Sequence, residues 1–399
     1  MLKTVTLKKD RKQSLDRRHP WIFSRGLEDT SGINGGDLID VIDHKGTFMA
    51  RGYYEQDSIA VRILTFNKDE QINPAFWEQR VRQAFVFRQA IGLTKPREAY
   101  RLVNSEGDGL PGLIIDVFSD VIVIDAYTKA IHYHINEILS VLLTLYQDDV
   151  KAIYYKAPES LINDIDVASR LEQVLWGDYE DIENVIALEN GVSFYPEILS
   201  GQKNTYTLDQ RNNRLHLRHH AQGRTVLSAF SHYGGFSLAA LYGDAKEVVS
   251  LDSSSKAINI LERNIRINFG DSQRALRHTS VVEDPFRYLQ EMPHGAFDMI
   301  ILDPPAFAKR REVLRNALQG YRKLNSEAIR KIAPHGLIYT FSNSQVVNAD
   351  LFRQNIFTSA LMAGREVKVL DQFGQAYDHP ISIYHPEGEY LKGLLLYVE

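Results

Sequence analysis

The 399-residue sequence contains no cysteine. It therefore has no disulfide, no thiolate metal site, no iron–sulfur cluster and no cysteine nucleophile, which fits a reducing cytoplasm. It also lacks an apolar run of about 18 residues, the length that spans a bilayer, and its N-terminal segment does not resemble a signal peptide. Neither membrane insertion nor secretion by a standard signal is expected. The expected location is the cytoplasm.

The charge of the chain is nearly balanced but unevenly distributed. Lysine and arginine number 46 and aspartate and glutamate 51, so the formal net charge is −5, which excludes a wholly basic nucleic-acid binder. Residues 1–25, however, hold eight basic side chains and only two acidic ones. A basic N-terminal segment on an otherwise acidic chain suggests a polyanionic partner.

Changes in sequence pattern predict three domains. Short β-like runs separated by glycine turns predict a small β-barrel over residues 1–72. A helical pattern over 75–91, followed by mixed strands and helices, predicts an α+β domain over 73–192. Strands and helices then alternate over 193–399, which predicts an α/β domain with a mostly parallel, doubly wound sheet.

Ligands of doubly wound sheets bind at the carboxyl ends of the strands, so the residues after each strand are the candidates. The first such strand, 225–230, leads to Gly234 and Gly235, which let backbone amides approach a ligand, although a tight turn explains them equally well. Asp252 follows the second strand and is suited to the two hydroxyls of a ribose, with helix capping as the alternative.

The third and fourth strands are also followed by acidic residues. Asp284 could accept a hydrogen bond from the exocyclic amine of adenine, or it could cap the next helix. Asp303, Pro304 and Pro305 form a rigid acidic turn with Phe307 two residues on, which is suited to gripping a planar base by hydrogen bonding and stacking.

Polar side chains also follow the fifth strand and fill one earlier helix-like stretch. The polar run 342–344 is expected to face the same crevice as the acidic turn, unless it caps the next helix. Three histidines and two arginines lie within 214–220, but no carboxylate at ligand spacing joins them. A solvated basic face is therefore favoured there, and no metal site is predicted.

Taken together, these strand ends resemble a class I S-adenosylmethionine-dependent methyltransferase, and the likeness extends over nearly the whole chain. The sequence is similar to the bacterial family of large-subunit ribosomal RNA methyltransferases that begins with a PUA domain. The segments that carry this likeness are 17–23 (RRHPWIF), 107–112 (GDGLPG), 208–211 (LDQR), 230–236 (FSHYGGF), 303–305 (DPP), 378–380 (DHP), 386–388 (PEG) and 390–393 (YLKG).

The resemblance implies an RNA-binding PUA barrel, a central α+β domain and a C-terminal Rossmann-like catalytic domain. It implies S-adenosylmethionine as cofactor and large-subunit rRNA as partner, and relatives of this family are often dimeric. Lys203 falls in a segment that normally closes over cofactor or substrate. The implied RNA contacts are Lys8, Lys9, Arg11, Lys12, Arg17 and Arg18. The implied cofactor contacts are Tyr206, Asp209, Arg211, Phe230, Ser231, Tyr233, Gly234, Gly235, Asp252, Asp284 and Asp303.

One position departs from the family pattern. Members that methylate carbon 5 of cytosine have a cysteine in the run FSCS, and this cysteine adds to carbon 6 of the base. This chain has Asn343 there and no cysteine elsewhere, so the covalent route is closed. A related catalytic domain with the run FSN acts on nitrogen 7 of guanine, and we expect transfer to such a ring nitrogen, with an exocyclic amine as the alternative. The expected catalytic residues are Asp303, Pro304, Pro305, Phe307 and Asn343.

Two other classes of function stay open from the sequence. One is a non-catalytic RNA-binding or ribosome-assembly factor that has kept the methyltransferase fold and lost the reaction together with the cysteine. The other is a small-molecule methyltransferase, which would make little use of the first two predicted domains.

Overall fold

The computed structural model describes residues 2–9, 11–157, 172–199, 206–308 and 310–399. The chain divides into two compact units, of which unit 1 comprises Met1–Ala187, Pro196–Lys203 and Tyr377–Gly388. Unit 2 comprises Leu188–Tyr195, Asn204–Ala376 and Glu389–Glu399. Most of the first two predicted domains thus falls within one unit, which also includes a segment from near the C-terminus, whereas residues 188–192 belong to unit 2. Within the described ranges, no helix is both long and apolar enough to cross a membrane.

The first sheet of unit 1 has five strands in the order β1-β3-β4-β5-β2. Alternate residues of β3 point into its core, where Ile39 and Val41 are fully buried. Gly52 is required in β4, because a Cβ there would lie 2.2 Å from the carbonyl oxygen of Arg62 in β5. The elements are β1 Lys3–Thr6, α1 Gln13–Asp16, β2 Trp21–Phe23, β3 Leu38–Ile42, β4 Phe48–Tyr54 and β5 Ile59–Thr65.

The second sheet of unit 1 has the strand order β10-β9-β8-β7-β6 and is packed by helices. The first helix begins where Asn73 accepts a hydrogen bond from the Phe76 amide and Pro74 occupies the first turn. The helices are α2 Pro74–Ala90, α3 Lys129–Tyr133, α4 Ile135–Tyr146 and α5 Tyr179–Glu183. The strands are β6 Ala99–Asn104, β7 Leu113–Phe118, β8 Val121–Ala126, β9 Ala152–Lys156 and β10 Glu172–Trp176.

A buried arginine attaches the segment Tyr377–Gly388 to this second sheet. The guanidinium of Arg88 binds the carboxylate of Asp108 at 2.5 and 2.8 Å and donates to the carbonyl oxygen of Asp378 at 2.7 Å. The amide of Arg101 donates to the carboxylate of Asp378 at 2.9 Å. These charge-assisted bonds explain why a late segment of the chain belongs to unit 1.

The described residues of unit 2 form a seven-stranded sheet in the order β15-β14-β13-β16-β17-β19-β18. The first five strands are parallel, as the alternating pattern predicts, whereas β19 is antiparallel to both β17 and β18. The last two strands were not predicted from the sequence. The strands are β13 Thr225–Ala229, β14 Glu247–Asp252, β15 His278–Val282, β16 Met299–Leu302, β17 Gly336–Ser342, β18 Val367–Phe373 and β19 Lys392–Val398. A separate two-stranded sheet joins β11 Ala187–Glu189 and β12 Val192–Phe194.

Helices cover both faces of the seven-stranded sheet. In β16, Ile300 and Leu302 belong to one apolar cluster and Met299 and Ile301 to another. Since successive side chains of a strand point to opposite faces, the two clusters lie on opposite sides of the sheet. The helices are α6 Arg211–His220, α7 Gly235–Tyr242, α8 Ser255–Phe269, α9 Pro285–Glu291, α10 Leu314–Lys331 and α11 Ala349–Ala363.

Candidate active site

The carboxyl ends of the parallel strands in unit 2 gather the predicted site residues at one edge of the sheet. The amide of Ser231 donates to the carbonyl of Leu251 at 3.0 Å, which joins the ends of β13 and β14. The amide of Glu283 donates to the carbonyl of Asp252 at 3.1 Å, which joins the ends of β14 and β15. The loops after β13, β14 and β15 are therefore held side by side, as the doubly wound prediction requires.

The glycine loop after β13 is shaped by protein packing as well as by backbone conformation. Gly234 has a φ of 87°, and a Cβ there would lie 2.7 Å from Cγ of Leu261. A Cβ on Gly235 would lie 2.9 Å from the hydroxyl of Tyr206. Both glycines are thus needed for the turn itself. The hydroxyl of Ser231 is buried and has no hydrogen-bond partner within the described ranges, so it is available to a ligand.

Asp252 braces two turns at once. One carboxylate oxygen accepts a hydrogen bond from the amide of His232 at 3.0 Å, and the other accepts from the amide of Ser254 at 2.9 Å. The alternative that Asp252 caps α8 is wrong, because the side chain of Ser254 accepts the capping bond from the Ala257 amide. The carboxylate therefore fixes the glycine loop against the end of β14.

His232 sits in this loop as an uncharged side chain. Its ring stacks on that of Tyr233 with centroids 3.8 Å apart, and Phe230 and His232 both have positive φ angles, 60° and 48°. Burial lowers the pKa of His232 to about 4, even though Asp252 acts in the opposite direction. The imidazole is consequently neutral at physiological pH.

Asp284 follows β15 and caps the next helix. Its carboxylate accepts a hydrogen bond from the amide of Arg287 at 3.0 Å, and Pro285 occupies the first turn of α9. The capping role that the sequence offered as the alternative is thus present. The side chain of Asp284 is exposed, and an interaction with a ligand remains a prediction.

Asp303 has the most perturbed carboxyl group of this edge. One of its oxygens accepts a hydrogen bond from the side-chain amide of Gln210 at 3.0 Å. Burial, and after it the nearby carboxylate of Asp209, raise the pKa of Asp303 to about 7. Asp209 is held by the hydroxyl of Tyr390 at 2.8 Å. The carboxyl of Asp303 is therefore poised between its neutral and ionised forms near physiological pH.

A buried ion pair lies next to the glycine loop. Arg214 binds both carboxylate oxygens of Glu189, at 2.6 and 2.5 Å, and its guanidinium lies 4.5 Å from the ring centre of Tyr206. Tyr206 in turn stacks on Phe194 at 3.8 Å. Tyr206 and Arg211 are both buried, and their contact with a cofactor remains a prediction. Lys203, which the family resemblance places in the preceding segment, lies outside the described residues.

The prediction of a solvated basic face over 214–220 is wrong in part. Arg214 is buried, as described above, and His216 is half-buried against the hydroxyl of Tyr339 at 3.0 Å. The carboxylate of Asp371 in β18 also reaches His216, at 3.4 Å. The sequence analysis missed this partner because it did not predict β18. His219 and His220 are exposed, as expected.

A buried tyrosine connects the loops after β16 and β17. The hydroxyl of Tyr321, in α10, accepts a hydrogen bond from the Ser342 hydroxyl at 2.9 Å. The ring of Phe307 packs on Tyr321 at 4.5 Å and on Phe286 at 5.8 Å. Pro304 is buried and Pro305 is exposed. Phe307 is thus half-buried against other aromatic rings of the protein, and stacking of its exposed part on a base remains a prediction.

Only one side chain of the polar run 342–344 is exposed. Ser342 and Ser344 are buried, and the hydroxyl of Ser344 donates to the carbonyl of Ala308 at 2.5 Å. The expectation that the whole run faces the crevice is therefore wrong, whereas Asn343 is exposed. The run does not cap α11 either, since Asn348 accepts that bond from the Leu351 amide. Within the run 342–344, Asn343 is therefore the residue whose side chain is accessible to a ligand.

The predicted RNA-contacting residues belong to unit 1. All six are exposed, so their charges are accessible to a partner. Lys12 lies 3.9 Å from the carboxylate of Asp43, and the guanidinium of Arg18 lies over the rings of Phe66 and Tyr384 at 5.3 and 5.6 Å. A contact of these residues with RNA remains a prediction.

Sequence reasoning missed four residues that shape the site in unit 2. Gln210 was quoted only as part of a motif, and His232 was passed over between two glycine-loop residues. Glu189 and Tyr321 carry no local signal, because an acid in a short strand and a tyrosine on a helical apolar face are both ordinary. Their roles depend on partners 25 and 21 residues away, Arg214 and Ser342.

The edge fits the cofactor that the resemblance implies. Asp252 is a carboxylate at the end of the second strand, the position suited to ribose hydroxyls, and Ser231 offers an unpaired buried hydroxyl. The neutral His232 adds no positive charge to a loop that would bind a sulfonium cation. Fold and site together define a class I S-adenosylmethionine-dependent methyltransferase.

Comparisons with known proteins agree with this class. Residues 5–66 match the PUA-like domain family, and residues 167–367 match the S-adenosylmethionine-dependent methyltransferase family. The chain is 38% identical over 400 residues to ribosomal RNA large subunit methyltransferase I of Tolumonas auensis, covering 99% of each chain. It is 37% identical over 399 residues to the Klebsiella pneumoniae protein of the same name, covering 98% of this chain and 96% of the relative.

Solved structures show the same fold. A Streptococcus mutans protein described as a SAM-dependent methyltransferase superposes with a TM-score of 0.83 at 22% identity, covering all of both chains. A methyltransferase structure that contains SAH superposes with a TM-score of 0.82 at 23% identity, again over both whole chains. The chain belongs to the PUA-containing S-adenosylmethionine-dependent methyltransferase family that includes ribosomal RNA large subunit methyltransferase I.

Proposed function

We propose that this enzyme methylates a base of large-subunit ribosomal RNA at a ring nitrogen, such as nitrogen 7 of guanine, without a covalent enzyme–base intermediate. The names of the relatives support this class of RNA. Both relatives are named large-subunit rRNA methyltransferases, and they align with 99% and 98% of this chain. The exposed basic residues of unit 1 support it too, because phosphate contacts supply much of the affinity for RNA.

The observation that carries the choice of atom is Asn343. It is the exposed residue of the run 342–344 at the end of β17, and the chain contains no cysteine at any position. Carbon 5 of a pyrimidine needs a nucleophile to add to the ring before it can attack a methyl group, and an amide cannot do this. A ring nitrogen has its own lone pair, so it requires only positioning.

The side chains at the edge can provide that positioning. S-adenosylmethionine, when bound, supplies an electrophilic methyl group on its sulfonium. The ionised carboxyl of Asp303 would accept hydrogen bonds from N–H groups of the base, and the amide of Asn343 would donate to a base carbonyl. Gln210 fixes the carboxyl of Asp303, and Tyr321 holds the two turns that present Asp303 and Asn343.

The test is mass spectrometry of nucleosides from unmodified large-subunit rRNA after incubation with the full-length protein and methyl-labelled S-adenosylmethionine. We expect label in a ring-methylated purine nucleoside such as 7-methylguanosine. Label in 5-methylcytidine would contradict the argument from Asn343, and label in an exocyclic amine would reject the ring nitrogen. Free guanosine serves as a parallel substrate and should be a poor one if RNA contacts are needed.

A pair of variants separates the role of Asn343 from a general effect of losing an amide. We expect Asn343→Ala to reduce kcat by about tenfold to a hundredfold, the scale of one or two positioning hydrogen bonds, with little change in cofactor affinity. Gln354→Ala removes an exposed amide from α11 and should leave kcat unchanged. Equal activity of the two variants would remove Asn343 from the proposal.

A further inference from the structure

Unit 1 contains a cluster of metal-ligating side chains that the methyltransferase reaction does not use. His19, which precedes β2, meets His385 and Glu387 from the segment Tyr377–Gly388. One ligand atom from each residue lies within 4.8 Å of the other two. No local sequence pattern indicates this group, because the two histidines are 366 positions apart in the chain.

The distances suit a single small cation. Nε2 of His19 lies 3.1 Å from an Oε2 oxygen of Glu387, and Nε2 of His385 lies 3.8 Å from the same oxygen. Two donors of a tetrahedral zinc ion, each about 2.0–2.1 Å from the metal, are about 3.4 Å apart. The two imidazole donors lie within 4.8 Å of each other, so side-chain movements on the order of 1 Å would bring all three donors to this spacing.

His385 gives an independent sign of a missing partner. Its side chain is only 5% exposed, and Nε2 has no hydrogen-bond partner within the described ranges. The ring is held in place by that of Trp21, with centroids 4.3 Å apart, and the indole of Trp21 donates to Glu106 at 2.7 Å. A buried polar nitrogen without a partner is costly, and a metal ion would satisfy it.

The imidazole of His19 is also oriented by the backbone. Nδ1 of His19 lies 3.3 Å from the carbonyl oxygen of Trp21, the kind of bond by which a backbone carbonyl orients a metal-binding imidazole.

We propose that His19, His385 and Glu387 form a Zn²⁺ site that binds the segment Tyr377–Gly388 to the first sheet of unit 1. Two imidazoles and one carboxylate are a donor set that zinc prefers. The side chain of Glu387 is 48% exposed, so the fourth position opens towards solvent and would hold water. The metal-free alternative is a simple hydrogen bond between His19 and Glu387, with Nδ1 of His19 accepting from the Trp21 amide at 3.1 Å.

The test uses the untagged full-length protein, stripped with a chelator and then dialysed against Zn²⁺, with zinc per chain measured by mass spectrometry. We expect one equivalent of zinc in the wild type. Glu387→Gln keeps the shape of an exposed side chain and should weaken zinc binding by at least about a hundredfold, as should His19→Gln. Glu389→Gln removes a neighbouring exposed carboxylate and should bind zinc like the wild type.

A second measurement separates this site from the other place where imidazoles face each other. His216 and His220 stack at 4.6 Å on α6, and Asp371 lies nearby, so they could also bind zinc. The double variant His216→Gln/His220→Gln should still bind one equivalent. Zinc should also raise the melting temperature of the wild type and of Glu389→Gln, but not that of Glu387→Gln. No zinc in the wild type, equal binding by Glu387→Gln, or loss of binding in the α6 double variant would each overturn the proposal.

Discussion

The raised pKa of Asp303 makes a quantitative prediction about the stability of unit 2. Burial and the neighbouring Asp209 raise this pKa from an ordinary 3.8 to about 7. Between these two pH values the folded chain holds a proton that the unfolded chain has released. Unfolding therefore becomes easier as the pH rises, and the destabilisation is complete above about pH 7.

The size of the effect follows from the shift. Each pKa unit corresponds to about 1.4 kcal/mol, so a shift of about three units destabilises the folded state by about 4 kcal/mol at high pH. Asp303→Asn has nearly the same shape and cannot ionise. We therefore expect the variant to be more stable than the wild type by a margin that grows with pH. This difference in the free energy of unfolding should increase by about 2–3 kcal/mol between about pH 5 and about pH 8.

The assay must report on unit 2, because the three tryptophans, Trp21, Trp77 and Trp176, all belong to unit 1. Hydrogen exchange of the buried amides of β16, corrected for the intrinsic effect of pH, gives the free energy of opening of this sheet without cofactor. Asp271→Asn, at an exposed position, should show no such pH-dependent gain. If the free energy of opening of Asp303→Asn exceeds that of the wild type by the same amount at about pH 5 and at about pH 8, the reasoning from burial is refuted.

Two further predictions concern the glycine loop after β13 and the turns after β16 and β17. Asp252→Ala should weaken binding of S-adenosylmethionine by about 2–3 kcal/mol in calorimetry, since it removes a charged acceptor and releases the His232 amide. Ser254→Ala, which removes only the cap of α8, should cost about 1 kcal/mol of stability and leave that affinity unchanged. Tyr321→Phe should lower kcat without changing cofactor affinity, because it removes the hydrogen bond that Ser342 donates to Tyr321 and so loosens the turns after β16 and β17. A variant with the full kcat of the wild type would show that Tyr321 has no positioning role.

The parallel part of the catalytic sheet could be predicted from the sequence because its signals are local. The apolar runs of β13 to β17 and the helical periods between them place Gly234, Asp252, Asp284 and Asp303 at strand ends, and parallel strands bring those ends to one edge. The strands β18 and β19 were missed. Most of β18 is exposed, so it lacks the alternation that marks a half-buried strand.

The roles of individual side chains were less predictable than their positions. Ser342 and Asn343 are adjacent polar residues in one turn, yet one is buried against Tyr321 and the other is exposed. Arg214 reads as a surface cation in a polar helix, and only the fold brings Glu189 to it. A charged or polar side chain is buried only when a partner compensates its desolvation, and the identity of that partner is a property of the fold.

The sequence by itself determined that this enzyme has no thiol. With no cysteine in the chain, no folding pattern can place a thiol at the end of β17. Tertiary structure alone decided the protonation of Asp303 and the meeting of His19 with His385 and Glu387. Composition is fixed along the chain, whereas desolvation and proximity between distant residues exist only after the chain has folded.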